Sequence, residues 1–235
     1  MKNIFKLSVI LLIIFHLNSF AVPSKPTGRV NDYAVILNSE TQSYLTSVID
    51  TFEQKTSVEI AVVTIKTLDG ETIERYAYNL YNKWGIGKKG KNNGVLFLVA
   101  IKERKMRIEV GYGLEAILTD GLCGEIRDKY IIPYFKQGDY PSGIQEGTKA
   151  IIKTVSDALG VKSDIVVNSA KKEEGKTNEI TIYFIVFLII VARIILPSRR
   201  NRGGFWGSGG FGGGSSSGGG FGGGSSGGGG ASGSW

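Results

Sequence analysis

The sequence predicts an α/β fold: a three-layer α/β/α sandwich around a mixed central sheet, followed by one transmembrane helix. Three observations carry this expectation. The apolar runs at 58–65 and 94–101 have the length of strands and no polar face, as strands covered on both sides do. Stretches with helical apolar spacing separate and follow them. A second apolar stretch, 180–196, is 17 residues long, near the lower limit for crossing a bilayer at ~1.5 Å per residue.

Each element has its own warrant. Residues 39–55 place Leu45, Val48, Ile49 and Phe52 on one helical face, with Ser39 and Gln42 as a capping box. Residues 58–65 read as a buried strand through Ile60-Ala61-Val62-Val63. Residues 72–84 repeat Ile73, Ala77, Leu80 and Tyr81 at helical spacing, and Gly85-Ile86-Gly87 stops the helix. Strand 94–101 is followed by the charged turn Lys102-Glu103-Arg104-Lys105 and an alternating strand at 106–110. Two helices follow, 120–137 and 140–159, the first broken or kinked by Pro133. The order is α-β-α-β-β-α-α within one domain, 22–160, long enough for a proper core.

The flanks set the expected topology. Lys2 and Lys6, an apolar stretch at 7–17 and Ser19-Phe20-Ala21 make residues 1–21 a signal peptide. Residues 161–179 form a polar linker. The span at 180–196 carries Arg193 in its last turn, and Arg199, Arg200 and Arg202 follow Pro197. Residues 197–235 are first basic and then Gly/Ser-rich. In 203–235, 19 of 33 positions are glycine, so this tail is expected to be disordered, with five spaced aromatics as weak stickers at most. The expected location is a single pass in the cell membrane, with an extracytoplasmic or periplasmic domain and a cytoplasmic tail.

Charge and composition narrow the chemistry. The pI is near 9.3, yet residues 22–165 hold 19 Lys/Arg against 18 Asp/Glu. The excess charge flanks the apolar segments, which points to a membrane and not to nucleic acid. The single histidine, His16, lies in the signal peptide, and Cys123 is the single cysteine. A processed chain therefore lacks Ser-His-Asp and Cys-His catalysis, histidine-ligated metals and internal disulfides. Oxygen ligands remain, and these suit calcium or magnesium.

Four loop segments stand out: Gly28-Arg29-Val30-Asn31-Asp32, the stretch Lys91-Asn92-Asn93-Gly94, Glu109-Val110-Gly111-Tyr112-Gly113-Leu114-Glu115, and Leu118-Thr119-Asp120. Asp32, Asn93, Glu115 and Asp120 could converge as oxygen donors for a hard cation. The alternative is ordinary loop chemistry, with Asp120 as a helix cap and Asn93-Gly94 as a turn. Gly111 to Ala116 matches G-x-G-x-x-G/A, but after the third strand, so no nucleotide cofactor is expected and those glycines serve close backbone approach and positive-φ turns. Lys88, Lys89 and Lys91 read as a solvated loop.

On these motifs, together with Trp84-Gly85-Ile86-Gly87, Asn93-Gly94-Val95-Leu96, Pro133-x-Phe135 and Gly138-Asp139-Tyr140, the chain resembles the TPM-domain family over about residues 26–156. The resemblance extends to the bacterial layout of signal, domain, span and glycine-rich tail. It implies an α/β/α sandwich and a divalent cation, calcium before others, near the loop carboxylates. Acid phosphatase activity is attributed to some members, while others act as accessory modules on membrane complexes. The family often has Asp where this chain has Asn92, which implies weaker ion binding here. The expected function is a membrane-anchored extracytoplasmic module that binds a divalent cation and assists or regulates a membrane-protein partner. The alternative is a metal-dependent acid phosphatase.

Overall fold

The computed structural model describes residues 25–162 and 220–235; the expected signal peptide, most of the linker and the apolar span lie outside the described residues. The sheet is mixed and five-stranded, in the order β1-β2-β3-β4-β5. Its strands are β1 (Val30–Asp32), β2 (Glu59–Ile65), β3 (Gly94–Ala100), β4 (Lys105–Gly111) and β5 (Ser226–Ser234). The first three run parallel, and β3–β4 and β4–β5 are antiparallel.

Every residue of β2 and β3 is buried, as the apolar runs 60–63 and 95–100 lead one to expect, and Glu59 and Thr64 are buried with them. Helices cover both faces. Helix α1 (Ser39–Thr56) packs Leu45, Val48, Ile49 and Phe52 against Ile60, Val62 and Phe97. The same face receives α3 (Asp120–Ile126), α4 (Ile132–Lys136) and α5 (Tyr140–Ala158). Helix α2 (Ile73–Trp84) packs Ile73, Ala77, Leu80 and Tyr81 against Ala61, Val63, Leu96 and Leu98 on the other face. Both parallel crossovers step along the sheet in the same direction, yet their helices lie on opposite faces. One crossover therefore has the left-handed sense, which is rare.

Local chemistry explains the element ends. Asn38, not Ser39, caps α1, accepting from the Thr41 N–H. Gln42 instead reaches back to the Leu37 carbonyl. Gly85, at φ 63°, ends α2 in the left-handed region, as its position after the periodic stretch predicts. The expected helix 120–137 is broken ahead of Pro133. A π turn, Arg127–Ile131, separates α3 from α4, and the proline sits in the first turn of α4, where its missing N–H has no helical partner to lose.

Two strands are not foreseen by sequence patterning. β1 is three residues long, too short to show a period. β5 is a correction of larger consequence: within the tail expected to be disordered, residues 226–234 form the edge strand next to β4. The backbone ladder, and not buried side chains, provides the pairing, with a bulge between Val110 and Gly111. Aromatics tie down both sides of the strand. The Trp235 ring meets Phe135 edge-on at 4.6 Å, and Phe221 stacks on Trp84 at 6.2 Å. These contacts put residues 220–235 in the same compartment as the domain. A cytoplasmic tail behind a single span and this pairing exclude each other. Among the described residues no helix is long and apolar enough to cross a membrane.

Candidate functional site

Three of the four loops singled out by sequence gather at one end of the sheet, where β2 and β3 begin and β4 finishes, whereas the Gly28–Asp32 segment runs to Asp32 at the other end. Gly111 and Gly113 are there for close approach. A Cβ on Gly111 would overlap the Asn92 carbonyl oxygen, and one on Gly113 the Lys91 carbonyl oxygen. Neither has positive φ, so the expected strained turn is absent at both. The Gly113 N–H donates to the Asn92 carbonyl at 3.0 Å and joins the two loops.

Of the four expected site residues, the structure brings two together. Glu115 and Asp120 line one open depression, with Tyr112, Thr119 and the backbone of Gly227–Gly229 as its other walls. Asp120 opens α3, where a carboxylate is favoured by the helix dipole, and its Oδ1 accepts from the Gly230 N–H at 2.7 Å. Thr119 is the cap of that helix, in the place expected for Asp120, and accepts from the Leu122 N–H.

Asn93 lies at the same end but is buried and committed. Its side chain accepts from the Lys88 N–H at 3.0 Å and donates to the Ser57 carbonyl at 2.8 Å. Asp32 lies at the opposite end. It aligns through Thr64 with Val99, five residues along β3 from Gly94, roughly 17 Å at ~3.3 Å per residue. Its carboxylate is spent on the Ile36 and Leu37 N–H groups and the Thr64 hydroxyl, and so holds the turn after β1. Among the described residues no three His, Cys, Asp or Glu side chains come together as a metal cluster. Glu115 and Asp120 are hard oxygen donors that fit a calcium-type ion only if water or backbone oxygen fills the remaining positions.

Two further charge clusters form around the fully buried carboxylates Glu59 and Glu109. Glu59, fully buried, accepts from the Gly87 N–H at 2.7 Å, the Gly222 N–H at 3.0 Å and Lys88 Nζ at 2.6 Å. Lys88 also binds Glu53, and these two bonds raise its pKa. Lys88 is thus part of the framework and not of a solvated basic loop. Arg107 and Glu109 project from β4 towards α2 and form a buried pair at 2.5 Å. Burial pushes the Glu109 carboxyl up, against the opposing pull of the Ser226 hydroxyl and the Arg107 guanidinium. Arg107 donates its other nitrogens to Ser232 Oγ at 3.0 Å and the Gly228 carbonyl at 2.7 Å.

Sequence reasoning named Glu109 within a loop segment without giving it a role, and it missed Arg107 and the tail residues that complete the pair. A usable sign was present: an alternating strand with two charges on its inward face needs a polar partner beside it.

The family model described as TPM domain matches residues 30–154, more than half the chain. The chain belongs to the TPM-domain family. Among solved structures, this TPM domain is similar to the N-terminal domain of a protein from P. gingivalis, determined in solution. The identity is 32%, the TM-score 0.54, and the match covers 57% of this chain and 86% of that one. It also matches the BA42 protein of the psychrophilic bacterium Bizionia argentinensis at 22% identity and TM-score 0.47, over 52% of this chain and 83% of that one. No curated protein matches the chain.

Cys123, one turn into α3 of the TPM domain, is fully buried, and burial pushes its thiol up to about 12, with Asp120 adding to the rise. A thiol so placed is no nucleophile. It should stay unreactive towards a disulfide reagent at mildly alkaline pH in the native protein and react fully in denaturant. Fast native labelling would show that α3 is not packed as described.

Proposed function

We propose that the protein is a membrane-anchored, extracytoplasmic TPM module that binds a divalent cation, calcium before others, and assists or regulates a membrane-protein complex. The observation that carries the ion reading is the pair Glu115 and Asp120 facing one open depression inside the TPM domain. With two carboxylates, the expected affinity is that of weak extracellular sites, on the order of 10⁻⁴–10⁻³ M. Our ligand set leaves out Asn93 and Asp32, whose side chains already bond elsewhere. We take the apolar stretch 180–196 as an anchor that inserts into the membrane without crossing it, so that both of its flanks stay on one side. The domain and residues 220–235 share the outer side, in keeping with their contact.

The test uses the full chain recovered from the membrane fraction in detergent. Millimolar calcium should raise its melting temperature by a few degrees, since an ion tenfold above its Kd stabilises by about 1.4 kcal/mol. Glu115→Gln/Asp120→Asn should abolish the shift without lowering the ion-free melting temperature by more than a degree or two. The same shift in the double variant would remove the ion site. Recovery of the protein in the soluble fraction would remove the anchor. Phosphate-ester hydrolysis that depends on both carboxylates would replace the binding reading by the metal-dependent phosphatase.

A further inference from the structure

We infer that the edge of β4 is a selective peptide-binding site whose ligand is a Gly/Ser strand bracketed by two aromatic residues, and that residues 221–235 of the chain itself are that ligand. A low-complexity segment pairing with a sheet edge could be indifferent filler. The contacts made by residues 221–235 are specific at three levels.

The first is steric. A Cβ on Gly230, where φ is +122°, would overlap the Ile108 carbonyl oxygen, and one on Gly233 would overlap the Arg127 side chain. A Cβ on Gly227 would run into the Tyr112 ring, and one on Gly229 would come within 2.9 Å of Glu115 Oε1. The backbone therefore demands glycine at Gly230, and side chains crowd against any larger residue at Gly227, Gly229 and Gly233, constraints that unstructured linkers do not have.

The second is polar. Ser226 Oγ lies 2.6 Å from Glu109 Oε1 and accepts the Gly228 N–H at 3.0 Å. The Ser232 hydroxyl meets Arg107, and its carbonyl meets Arg127 Nη1 at 2.5 Å. Two serines at fixed spacing thus complete charges that β4 and the π turn after α3 hold ready. The third is aromatic. Phe221 lies between Trp84 and the Arg29 guanidinium, 4.8 Å from its centroid, while Trp235 meets Phe135 and Tyr140. Main-chain pairing supplies affinity and the side-chain positions supply selectivity, as in strand addition to other sheet edges.

The test uses the full chain with Gly230→Val, in which the native strand cannot seat, and a fluorescent synthetic peptide of residues 220–235. Saturable anisotropy binding to the variant is expected. Binding to the wild-type chain should be weaker by at least about tenfold, because a tethered strand competes at an effective concentration on the order of millimolar. A peptide carrying the same valine, or a scrambled one, should not bind. Equal binding to both proteins, no binding to the variant, or equal binding of the scrambled peptide each overturns the proposal. Unreactive Cys123 certifies that the variant is folded. If it reacts, Phe221→Ser/Trp235→Ser takes its place and the same outcomes apply. Light scattering should show a wild-type monomer, and a concentration-dependent dimer would transfer the occupancy to a second copy and overturn the in-chain assignment.

Discussion

Replacing Arg107 by methionine should lower the unfolding free energy by about 3–5 kcal/mol, the usual cost of breaking a buried ion pair from one side. The guanidinium makes three bonds that methionine cannot replace: to Glu109, to the Ser232 hydroxyl and to the Gly228 carbonyl. Its loss leaves a fully buried carboxylate with the Ser226 hydroxyl as its remaining side-chain partner. Changing both residues, Arg107→Met/Glu109→Leu, should recover most of the loss, because an apolar pair carries no uncompensated charge. The pH dependence has a definite sign. Glu109 is already raised by burial, and without Arg107 it rises further. A carboxyl whose folded pKa exceeds its unfolded value binds its proton more tightly when folded. The defect of the single variant should therefore shrink as pH falls through that raised value towards the ordinary carboxylate range. Urea unfolding at neutral and mildly acidic pH measures both effects. A single-variant loss below about 1 kcal/mol would show the pair to be solvated.

Gly113→Val should cost at least about 3 kcal/mol, since the added Cβ would occupy the place of the Lys91 carbonyl oxygen and backbone cannot swing away as a flexible side chain can. The damage should spread in one direction. Glu115 lies two residues on, so calcium stabilisation should vanish with the fold loss or before it. Gly121→Ala provides the contrast. It lies in α3 beside the same depression, and its added Cβ would meet nothing nearer than the Thr119 hydroxyl at 4.0 Å. Alanine there should be neutral or stabilising by up to ~1 kcal/mol, through helix propensity alone. Equal melting temperatures for the Gly113→Val and Gly121→Ala chains would refute the close approach of the two loops.

The sheet's centre was legible because burial on both faces writes itself into sequence. β2 and β3 contain continuous apolar runs, and the helices beside them show their apolar faces at the spacing of a helix turn. Pro133 was legible as a break for the same kind of reason, a missing N–H that any helix must accommodate. The candidate site was half legible. Residue type identified carboxylates and glycines at strand ends, but type does not say which end of the sheet a strand terminus occupies. Asp32 ends a parallel strand and Glu115 follows an antiparallel one, and the register sends them apart. β5 was illegible by apolar pattern because nine residues of Ser, Gly and Ala contain no period to detect. Its stability resides in backbone pairing and in the charges of β4, so the relevant sequence information was on the partner strand.

The position of β5 in the chain also orders events in time. Strand β4 ends at Gly111 and α5 at Ala158, whereas its edge partner starts only at Ser226. At ~5–20 residues per second, synthesis from Ala158 to Ser226 takes roughly 3–14 s, far longer than a small domain needs to collapse. During that interval the sheet has four strands, and Arg107 and Glu109 lie beside an open edge. A nascent chain is thus held in an unfinished, aggregation-exposed form until its glycine strand emerges. A chain broken off anywhere before Ser226 would never leave that form, and quality-control proteases could tell it from a finished one.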